Sequence, residues 1–119
     1  MSEDVIKIKS FSFAIRIVNL YKTLNTRNEY VISKQILRSG TSVGANIREA
    51  KNAESKADFI HKMGISQKEA DETLYWLELL QATNYISNEE FLSLNNDGVE
   101  VLKLIKSIII TSKINIKKT

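Results

Sequence analysis

Proline and cysteine are both absent from this chain. Without cysteine there can be no disulfide and no thiolate metal site, and a reducing compartment is compatible with the composition. Without proline the commonest breaker of long helices is missing, and four glycines are too few for a loop-rich β protein. Histidine is nearly missing as well, His61 being the only one. No apolar run, even around Ile108-Ile109-Ile110, approaches the roughly 20 residues that a membrane span requires, so no membrane partner is expected. The segment Met1-Ser2-Glu3-Asp4 is acidic where a signal peptide would be basic, and Lys7, Lys9 and Arg16 interrupt the apolar positions that follow. A soluble, cytoplasmic protein is expected.

What is present is a chain of 119 residues, long enough for one domain to bury about two thirds of the surface its unfolded form exposes. No internal repeat or low-complexity segment divides it, so residues 1–119 read as a single domain. Helical periodicity runs through it. Ile6, Phe13, Ile17, Leu20 and Leu24 share one side of a helix over about 3–26 (α1), with Arg16, Asn19 and Thr23 opposite and with Glu3 and Asp4 at the positive end of its dipole. A second stripe, Ile32, Ile36, Gly40, Val43, Ile47 and Ala50, marks α2 over about 29–53, its small residues permitting close approach of another helix.

Ser55-Lys56-Ala57-Asp58 resembles a capping box opening α3, about 56–85, with Phe59, Met63, Ala70, Leu74 and Leu77 inward. Ser87-Asn88-Glu89-Glu90 is a second box opening α4, about 88–113, with Val101, Leu102, Leu104, Ile105, Ile108 and Ile109 inward. Inside α4 the turn-like string Asn95-Asn96-Asp97-Gly98 can kink or split the helix, although one continuous helix is the expectation. Four helices joined by short connections predict an all-α, antiparallel up-down-up-down four-helix bundle.

Further apolar residues fall outside the core stripes: Ile8, Phe11, Ile15 and Val18 on α1, and Ile65, Trp76 and Leu79 on α3. Either a compact bundle buries them internally, or they form an interface between copies of the chain, as large apolar and aromatic residues do in obligate oligomers.

Charge is segregated although the net value is only +3. Residues 1–48 carry eight basic side chains against three acids; residues 49–100 carry four against eleven; residues 101–119 carry five lysines and no acid. Lys103, Lys106, Lys113 and Lys117 fall on one helical stripe away from the apolar side, joined as candidate polyanion contacts by Arg16 and Lys22 on α1. The alternative is a solvated helix end that complements the dipole. No aromatics interleave with these lysines, so base-specific readout is not expected.

No catalytic or metal constellation emerges, and no cofactor is expected. Asp58-Phe59-Ile60-His61 is a single D-x-x-H, short of the ligands a di-metal bundle needs. Glu69, Asp71, Glu72 and Glu78 spread around α3 as a solvated face, with Lys68 as a helical neighbour of Glu72. The run from Gly40 to Asn46 lacks the Gly-Lys-Ser/Thr ending of a phosphate loop. Ser39 and Ser42 have no activating histidine in sequence, and Arg48 stands thirteen positions before His61, which excludes the R-x-x-x-x-H ribonuclease spacing. One polar edge stands out on α2, where Gln35, Arg38, Ser39, Ser42, Asn46 and Glu49 recur at steps of three and four. It reads either as hydrogen bonding across a helix interface or as a surface facing a ligand or partner.

The same residues carry a resemblance. The run from Gln35 through Arg38-Ser39-Gly40-Thr41-Ser42-Val43-Gly44-Ala45-Asn46 to Ala50, then Lys56-Ala57-Asp58-Phe59-Ile60-His61-Lys62-Met63, then Glu69-Ala70 and Glu72-Thr73-Leu74-Tyr75-Trp76-Leu77-Glu78-Leu79-Leu80, resembles the bacterial four-helix bundle family encoded within intervening sequences of 23S ribosomal RNA. The likeness spans about residues 5–112. It implies a ring-like homopentamer related to the accessory protein of diversity-generating retroelements, which binds reverse transcriptase and nucleic acid through basic surfaces. It places Arg38, Ser39, Ser42, Asn46 and Glu49 at its most characteristic positions, with no catalytic role attached. Asn95 to Gly98 departs from the usual helical filling there. Two functions of different class follow: a homo-oligomeric RNA- or DNA-binding accessory protein, or a scaffold for a protein partner without a nucleic-acid role.

Overall fold

The computed structural model describes residues 2–118, with side chains from 4 to 117. The described residues form four helices: α1 (Ser2–Thr26), α2 (Ile32–Lys51), α3 (Lys56–Ala82) and α4 (Asn88–Lys118). They touch in a closed cycle, α1 to α2, α2 to α3, α3 to α4 and α4 back to α1. Paired residues fix the directions. Gly40 meets Ile17 and Gly44 meets Ser10; Arg38 meets Glu69 and Val43 meets Ser66; Leu74 meets Gly98 and Gln81 meets Asn88; Arg16 meets Ser93 and Lys9 meets Glu100. In each pair of helices one number falls as the other rises, so neighbours run antiparallel. The result is a four-helix bundle with extents of 52 × 22 × 20 Å.

Every residue of the inward stripe read on α1 is buried, and so are Ile36, Val43, Ile47 and Ala50 of α2. Met63, Ala70 and Leu77 of α3 and Val101, Leu102, Ile105, Ile108 and Ile109 of α4 complete the same core. Ile32, Phe59, Leu74 and Leu104 are partly buried and pack against it. Leu80, Ile86 and Leu94 join the core without having been read as members of a stripe.

The ends of the helices are set by hydrogen bonds that local patterns reveal unevenly. Ser87 and Glu90 form the full reciprocal box: Glu90 N–H donates to Ser87 Oγ at 3.1 Å, and Ser87 N–H donates to the Glu90 carboxylate at 2.9 Å. At α3, Asp58 N–H donates to Ser55 Oγ at 3.0 Å, while the Asp58 carboxylate accepts from Glu54 N–H at 3.3 Å, one residue earlier than the reciprocal box requires.

Helices α1 and α3 end alike. Asn28 (φ 63°) and Asn84 (φ 66°) occupy the left-handed region, with Glu29 N–H donating to the Leu24 carbonyl and Tyr85 N–H to the Leu80 carbonyl. Both are Schellman closures with asparagine where glycine is commonest. This stops α3 at Ala82 instead of the expected 85. It also delays α2 until Ile32 instead of 29, because Glu29 stays outside the helix and caps it: its buried carboxylate accepts N–H bonds from Val31, Ile32 and Ser33 at 3.3, 3.1 and 2.6 Å. Helix α2 ends at Lys51, two residues before its expected end, and α4 runs five residues beyond its own. The Glu3 side chain, expected near the start of α1, lies outside the described residues.

The Asn95–Gly98 string does not split α4, which is continuous from Asn88 to Lys118. Two of its turn-prone residues, Asp97 and Gly98, are used in tertiary contacts. Gly98 is buried, and a Cβ there would lie 2.7 Å from Leu74 Cδ2 and 3.2 Å from Phe13 Cζ, so the missing side chain lets α4 approach α1 and α3.

Candidate nucleic-acid interface and neighbouring faces

The basic face of α4 arises from a simple circumstance: its last four turns or so have no opposing acid in their own sequence and project lysines at three-, four- and seven-residue steps. Lys103, Lys106, Lys113 and Lys117 are all exposed, and none forms an ion pair among the described residues. Fourteen residues of helix separate the first from the last, a rise of about 21 Å. Ile110 and Ile114 stand exposed on the same face. Sequence reading had not singled them out, although their i, i+4 spacing among the lysines was visible.

The two basic residues proposed on α1 do not join this face. Arg16, together with Thr23, is partly buried at the seam with α4, which corrects their expected outward placement; Asn19 is exposed beside the same seam. The Arg16 guanidinium donates to Asp97 Oδ2 at 2.6 Å, to Ser93 Oγ at 2.8 Å and to the Ser93 carbonyl at 3.2 Å. Lys22 is exposed but lies two turns further from the basic end of α4. From the Arg16–Asp97 register its level on α4 is near the start of that helix, on the order of 35 Å along the axis from Lys113.

The polar edge of α2 is mainly an inter-helix arrangement. Arg38 bridges Glu69, at 3.0 Å, and Glu72, whose carboxylate also accepts the Trp76 Nε1–H at 2.9 Å. These contacts hold the Glu72 carboxyl below its usual range, the Trp76 bond most strongly and the Arg38 contacts after it, against the opposing pull of desolvation. The partner of Glu72 is thus Arg38, not its helical neighbour Lys68. Behind the ion pairs the buried Thr73 hydroxyl donates to Ser39 Oγ at 2.9 Å, and Ser66 Oγ donates to the Val43 carbonyl at 2.8 Å. Ser42 and Asn46 bond back to carbonyls of their own helix, and Gln35 and Glu49 are exposed.

Of the apolar residues outside the stripes, Ile8, Phe11 and Ile15 are exposed at 66%, 59% and 49%, whereas Val18, Ile65, Trp76 and Leu79 are half-buried, Trp76 packing against the core. Phe11 borders a groove of about 550 Å³ between α1 and α2, with Ala14, Gly44 and Ala45 in its lining and Lys7, Arg48 and Glu49 around it. On α3 the exposed aromatic is Tyr75, which sequence reading passed over; its ring meets Trp76 edge-on with centroids 5.0 Å apart. A second hollow, about 530 Å³, lies at the end of the bundle among Lys51, Ser55, Lys56, Phe59, Ser112 and Asn115.

Among the described residues no group of three or more His, Asp or Glu side chains converges as a metal set, and no helix is long and apolar enough to cross a membrane. His61 is exposed.

An all-helical bundle with one outward basic helix end and uncovered apolar faces defines the class. The family model for the 23S rRNA-intervening sequence protein matches residues 3–107, and the chain belongs to that family. A crystal structure of a protein of unknown function from the S23 ribosomal protein family of Bacteroides thetaiotaomicron VPI-5482 is similar to it at 62% identity, covering 92% of this chain and 98% of that one, with a TM-score of 0.90. No curated protein matches the chain.

Proposed function

We propose that the protein is a non-enzymatic, homo-oligomeric accessory protein of the cytoplasm that binds RNA or DNA through its phosphate backbone. The observation that carries this reading is the unpaired lysine face of α4, Lys103, Lys106, Lys113 and Lys117, in a segment that contains no acid. Such a face attracts a polyanion by releasing its condensed counterions and does not read sequence. Assembly into a ring, a homopentamer by family resemblance, multiplies the face and raises avidity. The groups left to a catalytic reading, a solvent-facing His61 and serines bonded to helix carbonyls, supply no paired acid and base.

A second reading rests on Ile110 and Ile114, which a phosphate backbone would leave wet and a protein helix would cover. The same experiment separates the two. Binding of a structured RNA and a matched DNA duplex is titrated against salt for the wild type, for a variant with all four lysines changed to glutamine, and for Ile110→Ser/Ile114→Ser. Nucleic-acid binding predicts that log affinity falls linearly with log salt, that the glutamine variant flattens this slope by roughly 3 to 4 per engaged protomer, and that the serine variant keeps it. Equal inertness of wild type and glutamine variant rejects the nucleic-acid role and leaves the protein scaffold.

A further inference from the structure

We propose that the hollow at the end of the bundle, where α2 gives way to α3, binds the phosphorylated end of a nucleic-acid strand: the terminal phosphomonoester and the nucleotide that carries it. The proposal rests on the nucleic-acid reading above and adds to the lysine face a second site with its own ligand chemistry.

Three helices supply the walls. Lys51 comes from the end of α2, Ser55 and Lys56 from the junction with α3, and Ser112 and Asn115 from the last turns of α4, while Ala50, Ala53 and Phe59 form the apolar part. Every charged residue of the lining is cationic. Glu54 and Asp58 stay outside it, the Asp58 carboxylate accepting the Glu54 N–H at 3.3 Å. Lys56 has no ion-pair partner among the described residues. Lys51 meets Asp4 at 3.5 Å, but that carboxylate is 78% exposed, so an incoming anion displaces it against little resistance. Ser55 Oγ accepts the Asp58 N–H and keeps its own proton to donate, and the side chains of Ser112 and Asn115 make no hydrogen bond of their own among the described residues. Two ammonium groups and three uncommitted polar side chains therefore surround one space.

Size and charge select the ligand. A volume of about 530 Å³ lies within the range of small-ligand sites and accommodates a nucleotide. Phe59 packs against the core and also lines the hollow, a firmly held ring on which a base can stack without its identity being read. Two lysines match a terminal phosphomonoester, which carries nearly two charges at neutral pH, better than an internal phosphodiester, which carries one. Lys113 stands about a quarter of a turn round α4 from Ser112, so the lysine face ends beside the hollow. The groove between α1 and α2 lacks this combination, because the Glu49 carboxylate is part of its lining and repels a phosphate.

The test compares binding of one short single-stranded oligonucleotide with a 5′-phosphate, with a 3′-phosphate and with hydroxyls at both ends, at constant salt. A phosphate on one end is expected to tighten binding by about tenfold. Lys51→Gln/Lys56→Gln is expected to erase that preference while the hydroxyl-ended strand binds as before; the glutamine variant of the α4 lysines weakens all three strands and keeps the preference. Phe59→Leu, with its fold verified by circular dichroism, is expected to keep the phosphate preference and lose the advantage of a terminal base over an abasic terminal sugar. Adenosine 5′-monophosphate carries the same chemistry without a strand and is expected to compete only weakly; binding of it as tight as that of the phosphorylated strand overturns the strand end and assigns the hollow to a free nucleotide. Strands that bind equally whatever their ends, or a preference that survives Lys51→Gln/Lys56→Gln, overturn the site and leave the lysine-face reading standing. Failure of every strand to bind overturns both.

Discussion

Gly40 of α2 and Ile17 of α1 are packed so closely that a Cβ on the glycine would lie 2.7 Å from Ile17 Cγ2 and 2.8 Å from Cγ1. Both residues are buried, so the isoleucine has little room to withdraw. Gly64 of α3 supplies the contrast, since a Cβ there would meet nothing within 4 Å. Gly40→Ala is expected to destabilise by about 1–3 kcal/mol through overpacking, despite the better helix propensity of alanine, while Gly64→Ala stabilises by about 0.5–1 kcal/mol. Opposite shifts of the urea midpoint at constant slope check the pair.

The start of α2 holds two buried polar side chains in opposite situations. Glu29 satisfies three backbone N–H groups that the helix itself leaves without acceptors. Ser33 Oγ, one turn on, is buried with no hydrogen-bond partner. Glu29→Ala is expected to cost about 1–2 kcal/mol, as loss of a helix cap does. Ser33→Ala removes an unsatisfied hydroxyl and is expected to gain about 1 kcal/mol. Thermal unfolding of the two variants beside the wild type decides both signs.

The inward stripes were legible because burial follows the 3.6-residue period, and the Ser87–Glu90 box because its bonds lie within four residues. The Asn95–Gly98 string was ambiguous for the converse reason. Its local preference is for a turn, and the contacts that override it, Asp97 with Arg16 and Gly98 with Leu74 and Phe13, come from residues 24 to 85 positions away. Glu29 was absorbed into α2 because a glutamate before an apolar stripe resembles a first-turn acid; only the left-handed Asn28 places it outside. The lysine face of α4 could be read from spacing, but the engagement of Arg16 could not. Tyr75 was hidden beside Trp76, although the acids four before and three after it were a usable signal.

Acid should weaken the α1–α4 corner in a definable way. The Glu90 carboxylate accepts two Arg27 N–H bonds, each 3.0 Å, and the Ser87 N–H, and these hold it below its ordinary value of 4.5, the Arg27 bonds most strongly. A carboxyl depressed on folding contributes stability that is fully present above its unfolded value and lost as pH falls through the folded one. Glu90→Gln is therefore expected to remove part of the decline in stability below about pH 4.5 while lowering the neutral-pH plateau. The pair is more than a third exposed, so the plateau change is at most about 1 kcal/mol. Denaturant unfolding at pH 7 and at a series of acidic pH values measures both effects.

Glu72 offers a direct optical check, because its carboxylate accepts the N–H of the only tryptophan in the chain. Protonation of that carboxyl weakens the bond to Trp76 and alters the field around the indole, so Trp76 emission is expected to titrate with an apparent midpoint below the ordinary 4.5 of a glutamate. Arg38 contributes to the depression from the opposite side, through a hydrogen bond and charge. Arg38→Gln is thus expected to move the midpoint upward without abolishing it, since the larger contribution, the indole N–H, remains. Glu72→Gln is expected to abolish the transition. A midpoint that stays unmoved in the Arg38 variant would mean that the guanidinium is too well solvated to act on Glu72, and that the α2–α3 polar edge is held by the buried Ser39–Thr73 hydrogen bond instead of by its outer ion pairs.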